Sequence, residues 1–268
     1  MASFSVVSNI SAANAQANLT GTNIGLQRAL TRLSSGFRIN TAGDDAAGLA
    51  VANSYRSTQV VLSQGVRNAN DGLSTLQIKD GALSNVSTLL DRLSTLAAQS
   101  ASAASTVDRQ ALDNEFQDVL AEIDREANVA GLDASQGFSV FVSNDGVDGK
   151  VGGTIGAADT TALGLTGANF DITTAAHADT VVGTIATAIT ALGSAQSTIG
   201  TLQNRLQFAI GLAGNQIVSN KAAESRIRDA NIAEESANLT RYTILTQSGV
   251  AALAQANQQS SAVLSLLR

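Results

Sequence analysis

The side chains that usually carry catalysis and metal binding are scarce in this sequence. His177 is the sole histidine. It sits in the low-complexity run Thr173-Thr174-Ala175-Ala176-His177-Ala178-Asp179, where no Ser-His-Asp arrangement can be argued. Its expected place is a solvent-exposed loop. Cysteine is absent, which removes thiolate ligands, a Cys nucleophile and any disulfide framework. Asn144-Asp145-Gly146-Val147-Asp148-Gly149 has the outline of a calcium loop. It lacks the acidic third ligand and the bidentate Glu at the twelfth position, so it reads as a turn. No GK[ST] phosphate loop occurs, and no Walker lysine follows Gly152-Gly153. Asn85-Val86-Ser87 and similar sequons are expected by chance in so Asn- and Ser-rich a chain. O-linked sugar, if carried, belongs in the outward-facing stretch 137–180. No catalytic, cofactor or metal site is readable, and the expectation is a protein that acts by packing, not an enzyme.

Composition supports that reading. Proline is absent from all 268 residues, where about 13 would be ordinary. Proline removes a backbone donor and clashes inside a helix, so a chain without it can run long uninterrupted helices. Aromatics are 3 % and charged residues 14 %, about half the usual charged share. Small neutral polar residues take their place, and such a surface costs little to desolvate in subunit contacts. A net charge of −6 lacks the basic stripe that nucleic acid requires. No run of about 18 apolar residues predicts a membrane span. The first nine residues lack the basic and apolar regions of a cleaved Sec signal.

These features predict a mainly α fold: long antiparallel helices forming a coiled-coil rod, with a small β-hairpin portion in mid-chain. Residues 10–37 read as a helix with Leu19, Leu26, Leu30, Leu33 and Phe37 at spacings of three, four or seven. Ser34-Ser35-Gly36 supplies its stop, and Asn40 to Asp45 a turn with N-cap residues. A second helix is expected over 46–99, roughly 80 Å long, with Leu83, Val86, Leu90, Leu93 and Ala97 as a coiled-coil seam. Gly48, Gly65, Gly72 and Gly81 inside it imply close approach of another backbone, or kinks. Ser105 and Asp108 fit a capping signature for a third helix carrying Leu112, Phe116, Val119 and Ile123. From about 131 to 179 glycine and alternating β-branched and aromatic residues predict hairpins and loops. Helix resumes near Thr180, with Ile185, Ile189, Leu192, Ile199, Leu206, Ile210, Ala213, Ile217 and Ile227 on one repeat. A last helix spans about 232–267 with Leu239, Tyr242, Val250, Leu253, Leu264 and Leu267 on its stripe.

Both chain ends carry a specific pattern. Leu30-Thr31-Arg32-Leu33-Ser34-Ser35-Gly36-Phe37-Arg38-Ile39-Asn40, then Gly43-Asp44-Asp45-Ala46-Ala47-Gly48 and Val66-Arg67-Asn68-Ala69-Asn70-Asp71-Gly72, resembles the N-terminal motif of bacterial flagellins. Ser225-Arg226-Ile227-Arg228-Asp229-Ala230, Leu253-Ala254-Gln255-Ala256-Asn257-Gln258 and Leu264-Ser265-Leu266-Leu267-Arg268 are similar to the flagellin C-terminus. The resemblance covers about 1–135 and 180–268, in the correct order. It implies a subunit of the hollow helical flagellar filament, serving motility, in a short form without extra outer domains. Residues 1–43 with 232–268 would form the inner-core helices, and 44–231 the outer rod, with its β portion at about 131–179. The implied partners are further copies of the chain, the flagellar type III export apparatus, an export chaperone, and cap and junction proteins. The implied location is extracellular. The terminal helices are expected to be disordered in the monomer and helical in the filament.

On that resemblance the assembly core is Leu26, Leu30, Leu33, Phe37, Leu239, Leu253, Leu264 and Leu267, and Ile39, Asn40 and Gly43 form the inter-domain connection. Residues 90–99 are similar to the flagellin helix read by the innate receptor TLR5, with Arg92, Leu96 and Glu115 at matching positions. Ser94 and Thr95 stand where that family usually has charged residues. Packing and pairing between subunits is the alternative role for the same three residues. Two rival functions stand beside the filament subunit: a hook–filament junction protein, and a secreted coiled-coil adhesin or translocator.

Overall fold

A computed structural model describes residues 9–102, 108–143, 146, 148, 149–167 and 170–266, with side chains to residue 258. Ser105, Asn144, Asp145, Val147 and Leu267 lie outside the described residues, and the side chain of Leu264 is likewise outside them. Five helices and one hairpin follow in order: α1 (Ile10–Ser35), α2 (Ala46–Ala101), α3 (Arg109–Val129), β1 (Gln136–Phe141), β2 (Lys150–Ile155), α4 (Ala175–Arg228) and α5 (Ile232–Leu266). The chain divides into two compact units, residues 58–218 and the two ends, 1–57 with 219–268.

The 58–218 unit holds the large core. On α2, Leu62, Ala69, Leu76, Leu83, Leu90 and Ala97 recur every seven residues and are all buried. Gly65, Gly72, Lys79, Val86, Leu93 and Ser100 form the companion row, also buried, so the coiled-coil seam extends well before Leu83. Its early part carries glycine because the hairpin crosses there. A Cβ on Gly65 would lie 1.8 Å from the Val142 carbonyl oxygen, and one on Gly72 would lie 2.6 Å from the Val140 side chain. Gly81 does neither job, since nothing lies within 4 Å of its Cβ position. Lys79 takes the next seam place and donates from Nζ to the carbonyls of Ala130 at 3.0 Å and Gly131 at 2.6 Å. It thereby satisfies orphan acceptors at the end of α3. Burial pulls the Lys79 ammonium below its ordinary range, partly opposed by Asp133.

α3 starts at Arg109 with Asp108 itself as N-cap, its carboxylate accepting from Gln110 N at 3.0 Å. Asn85 bonds Glu126 and Arg92 pairs with Glu115, so α3 runs antiparallel to α2. β1 and β2 pair antiparallel with Val140 opposite Val151. Asn68 Nδ2 on α2 donates to the Phe141 carbonyl, and Arg205 on α4 donates to Gly152 O at 3.0 Å. These bonds dock the hairpin on both helices.

α4 begins at Ala175, five residues earlier than its apolar pattern suggests, and this corrects the placement of His177. The His177 backbone N–H donates to the Thr174 hydroxyl, and Nδ1 lies 3.0 Å from the Asp171 carboxylate. His177 is therefore a first-turn helix residue, not a loop residue. The buried seam of α4 pairs Ile185, Leu192, Ile199, Leu206 and Ala213 with Val181, Ala188, Ala195 and Leu202. Ile189, expected on the same apolar repeat, faces outward, and Ala188 and Ala195 stand in the second buried row. α4 is long and apolar enough to cross a membrane by length and composition, but its apolar rows are spent on this core.

The unit of the two ends is different in kind. α1 is capped by Asn9, whose side chain accepts from Ala12 N at 3.0 Å and donates to Ala256 O at 2.8 Å on α5. α1 stops at Gly36, which holds φ 75°, a conformation costly for residues with a Cβ. α1 and α5 pack closely: a Cβ on Gly25 would lie 2.6 Å from the Tyr242 ring, and one on Gly249 would lie 3.1 Å from Leu19. Yet among the described residues of this unit only Ala29, Ile39, Ala52 and Ala256 are buried apolar side chains.

Candidate assembly surface

The residues expected to build the assembly core are only partly covered within one chain. Leu26, Leu33, Phe37, Leu239 and Leu253 are half-buried, and Leu30 is 58 % exposed. Ile24 on α1 and Ile244, Leu245 and Val250 on α5 are exposed too, Ile244 by 56 %. Between Arg241 and Arg268 no charged residue occurs. Two paired helices have one face each to give to the other. Here large apolar side chains also occupy the outer faces, which in water is unfavourable by about 1.5–3 kcal/mol for each side chain that could be buried. The arrangement is an incomplete core.

The connection between α1 and α2 is a clasp. Phe37 pairs with Asp229 in an isolated antiparallel bridge. Arg38 N donates to Arg228 O at 2.7 Å, and Ala230 N donates to Gly36 O at 2.9 Å. The Arg228 guanidinium lies 4.1 Å from the Phe37 ring centroid, an attractive cation–π contact. Ile39 is 1 % exposed. The connection after α1 and the one before α5 are thus tied by backbone bonds.

Asp44 organises the other half of this turn. Its carboxylate accepts from Thr41 N at 3.0 Å, the Thr41 hydroxyl at 3.0 Å and Asn40 N at 3.3 Å. These donors, the Thr41 N–H first, together with Arg32, hold the Asp44 carboxyl below its ordinary range against an opposing desolvation. Arg32 reaches Asp44 at 3.8 Å and Glu235 at 3.1 Å. Glu235 is 7 % exposed and lies in the first turn of α5, where the helix dipole favours a carboxylate.

Of the three residues expected to form the connection, Ile39 is buried in it and Asn40 contributes a backbone donor. Gly43 is exposed, has no positive φ, and has only the Thr41 hydroxyl within 4 Å of its Cβ position. Arg32, Asp44, Arg228 and Glu235 carry most of the remaining geometry and are not among the three, while Gly36, read from the sequence as the stop of α1, also accepts from Ala230 N. One signal was available: Arg28 and Arg32 are the sole charges on α1, and a lone charge on an otherwise neutral helix needs a partner.

Arg92 and Glu115 do meet, in a half-exposed ion pair between α2 and α3. Leu96 is 1 % exposed and belongs to the core of the 58–218 unit. Folded, this unit offers the charged pair to a partner and keeps Leu96 inside. Among the described residues no group of His, Cys, Asp and Glu could hold a metal ion.

Long helices, an incomplete terminal core and a clasped pair of connections define a self-assembling helical subunit. Residues 6–139 match the bacterial flagellin N-terminal helical region, and residues 182–267 match the bacterial flagellin C-terminal helical region. A flagellin of Halalkalibacterium halodurans is 39 % identical over 97 % of this chain and 98 % of its own. Flagellin FlaB1 of Treponema pallidum is 35 % identical, and the flagellar filament 33 kDa core protein of Treponema phagedenis 36 % identical, each over 97 % of this chain and 98 % of its own. The chain belongs to the bacterial flagellin family and is a structural subunit of a flagellar filament.

Proposed function

We propose that the paired ends of this chain, α1 and α5, form the inner wall of a hollow filament, and that the 58–218 unit forms the outer wall. The observation that carries this reading is the apolar outer face of the terminal pair, with Leu30, Ile244, Leu245 and Val250 exposed on helices otherwise poor in charge. Copies of the same pair are its natural cover, because like helices present matching small and apolar surfaces. Leu26, Leu33, Phe37, Leu239, Leu253, Leu264 and Leu267 would then complete the core begun inside each chain, and Ile39, Asn40 and Gly43 would lie where inner and outer parts join.

The family likeness supports secretion through the flagellar type III route, with an export chaperone and cap and junction proteins as partners, and an extracellular site of action. It supports a structural role without catalysis. Its relatives' names are those of flagellins and filament core proteins, which favours the filament subunit over a junction protein or an adhesin. Recognition by TLR5 would run through the exposed Arg92–Glu115 pair, with Leu96 acting only by holding α2 in the core. Reporter cells given monomer would then lose response to Arg92→Ala.

Seeded polymerisation tests the main reading. Purified chain added to short filament fragments should elongate them, as seen by light scattering and electron microscopy, and a chain lacking residues 1–37 should not. Elongation by the shortened chain would overturn the role given to the ends.

A further inference from the structure

Residues 58–218 carry seven Lys or Arg and sixteen Asp or Glu, a net −9. Copies of such a unit repel wherever their charged faces meet. One face escapes this. From Thr180 to Asn220 on α4, Arg205 is the sole charged residue. Its guanidinium is turned onto the hairpin, where it donates to Gly152 O at 3.0 Å. The carboxylates lie elsewhere: six on α3, and Asp71, Asp80 and Asp91 exposed on α2. On the side of α4 opposite its buried Leu192, Ile199 and Leu206, the residues Thr190, Ser194, Ser197, Thr201, Phe208 and Leu212 follow spacings of three, four and seven. They form one stripe, and all six are exposed.

Two features of the stripe fit burial. Phe208 is 80 % exposed, the highest value for a large apolar side chain among the described residues, and Leu212 one turn on is 61 % exposed. An aromatic side chain held out in water on a neutral face is the kind of group that anchors protein interfaces. At the other end of the stripe the hydroxyls are already engaged. Those of Thr190, Ser194 and Thr201 donate to the Ala186, Thr190 and Thr198 carbonyls of their own helix, at 3.1, 3.2 and 2.8 Å. Covering them leaves none of these donors unsatisfied, so desolvation costs little.

We infer that this stripe is a contact between the 58–218 unit of one copy and the 58–218 unit of a neighbouring copy, with Phe208 as its anchor. The inference rests on the filament reading and deepens it, since it names a face through which the outer wall closes on itself. The occupant is a second copy because the chain is a filament subunit, and because a neutral stripe meets an acidic neighbour without setting like charge on like charge. A carboxylate placed on the stripe is then tolerated in the monomer and opposed in the filament.

Ser197→Asp and Ser197→Asn give nearly isosteric side chains that differ in charge. Both full-length chains should fold as the wild type does, checked by circular dichroism, because the site is exposed. On wild-type seeds the Ser197→Asp chain should elongate at least about fivefold more slowly than the Ser197→Asn chain. Phe208→Ala removes the anchor and should raise the concentration of monomer left beside grown filaments at least about tenfold. Equal elongation by the Asp and Asn chains, or a Phe208→Ala chain that leaves as little monomer as wild type, would overturn the inference while the filament reading stands. A wild-type chain that fails to elongate its own seeds would overturn the filament reading, and this inference with it.

Discussion

Adding one methyl group at two glycines of α2 should have opposite effects. At Gly65 the new Cβ would lie 1.8 Å from the Val142 carbonyl oxygen and 2.5 Å from its carbon. Both are backbone atoms just past β1, so no side-chain rotation can relieve the clash. The hairpin must lift from α2, straining the Asn68–Phe141 bond and uncovering Val140 beside Gly72. Helix propensity returns up to about 1 kcal/mol for Gly→Ala, while overpacking costs about 1–3 kcal/mol or more. With backbone as the obstacle the upper end applies, and Gly65→Ala should destabilise by about 2 kcal/mol net. At Gly81 nothing lies within 4 Å and the site is exposed, so Gly81→Ala keeps the propensity gain of about 0.5–1 kcal/mol. Thermal unfolding of the monomer followed at the helical circular dichroism band should show the midpoint falling by about 4–8 °C for Gly65→Ala and rising by about 1–4 °C for Gly81→Ala. A Gly65→Ala chain as stable as wild type would refute the hairpin's docking over this seam.

Other outcomes follow from the same geometry. Lys79→Met keeps the stem and removes both bonds to Ala130 and Gly131; unsatisfied carbonyls should cost about 1–3 kcal/mol, read from urea unfolding, and Lys79→Arg should restore part of it. Gly36→Ala forces a Cβ into φ 75° and should cost about 1 kcal/mol, with loss of amide protection at Ala230 as its local signature. The Asp44 carboxyl is held below its ordinary value, so its contribution is fully present above about pH 4 and is lost as pH falls through the depressed folded value. Amide resonances of Asn40 and Thr41 should therefore shift on acidification in wild type and not in Asp44→Asn. Hydrogen exchange on the monomer should show weak protection across Leu19–Phe37, since so little apolar surface is buried there, and strong protection across Leu83–Ala97.

How much was legible depended on what each residue contacts. Leu83 to Ala97 could be read as a seam because each place holds an apolar side chain. The same seam from Leu62 to Lys79 was hidden, since Gly65, Gly72 and Lys79 occupy alternate places for the sake of the hairpin and the end of α3. On α4, Ala188 and Ala195 stand in a buried row, while the larger Ile189, which apolar pattern alone places on the repeat, faces outward. The start of α4 was missed because its N-cap is a threonine within a low-complexity run, and hydroxyl capping leaves a weak signal there. The clasp was beyond pattern reading: Gly36, Arg38, Arg228 and Ala230 meet through backbone atoms, which no side-chain periodicity encodes. Leu30 shows the converse case. Its apolar spacing was plain, but its exposure in a single chain is what marks it as an assembly residue.

On the filament reading, the exposed faces of α1 and α5 become buried when copies assemble. The chain has no cysteine, so Leu30→Cys, Ile244→Cys and Val250→Cys each introduce a unique thiol. Its rate of reaction with a small thiol reagent should be high in the monomer and fall by at least about tenfold in elongated filaments. Filaments in which all three positions react as fast as in the monomer would contradict the account.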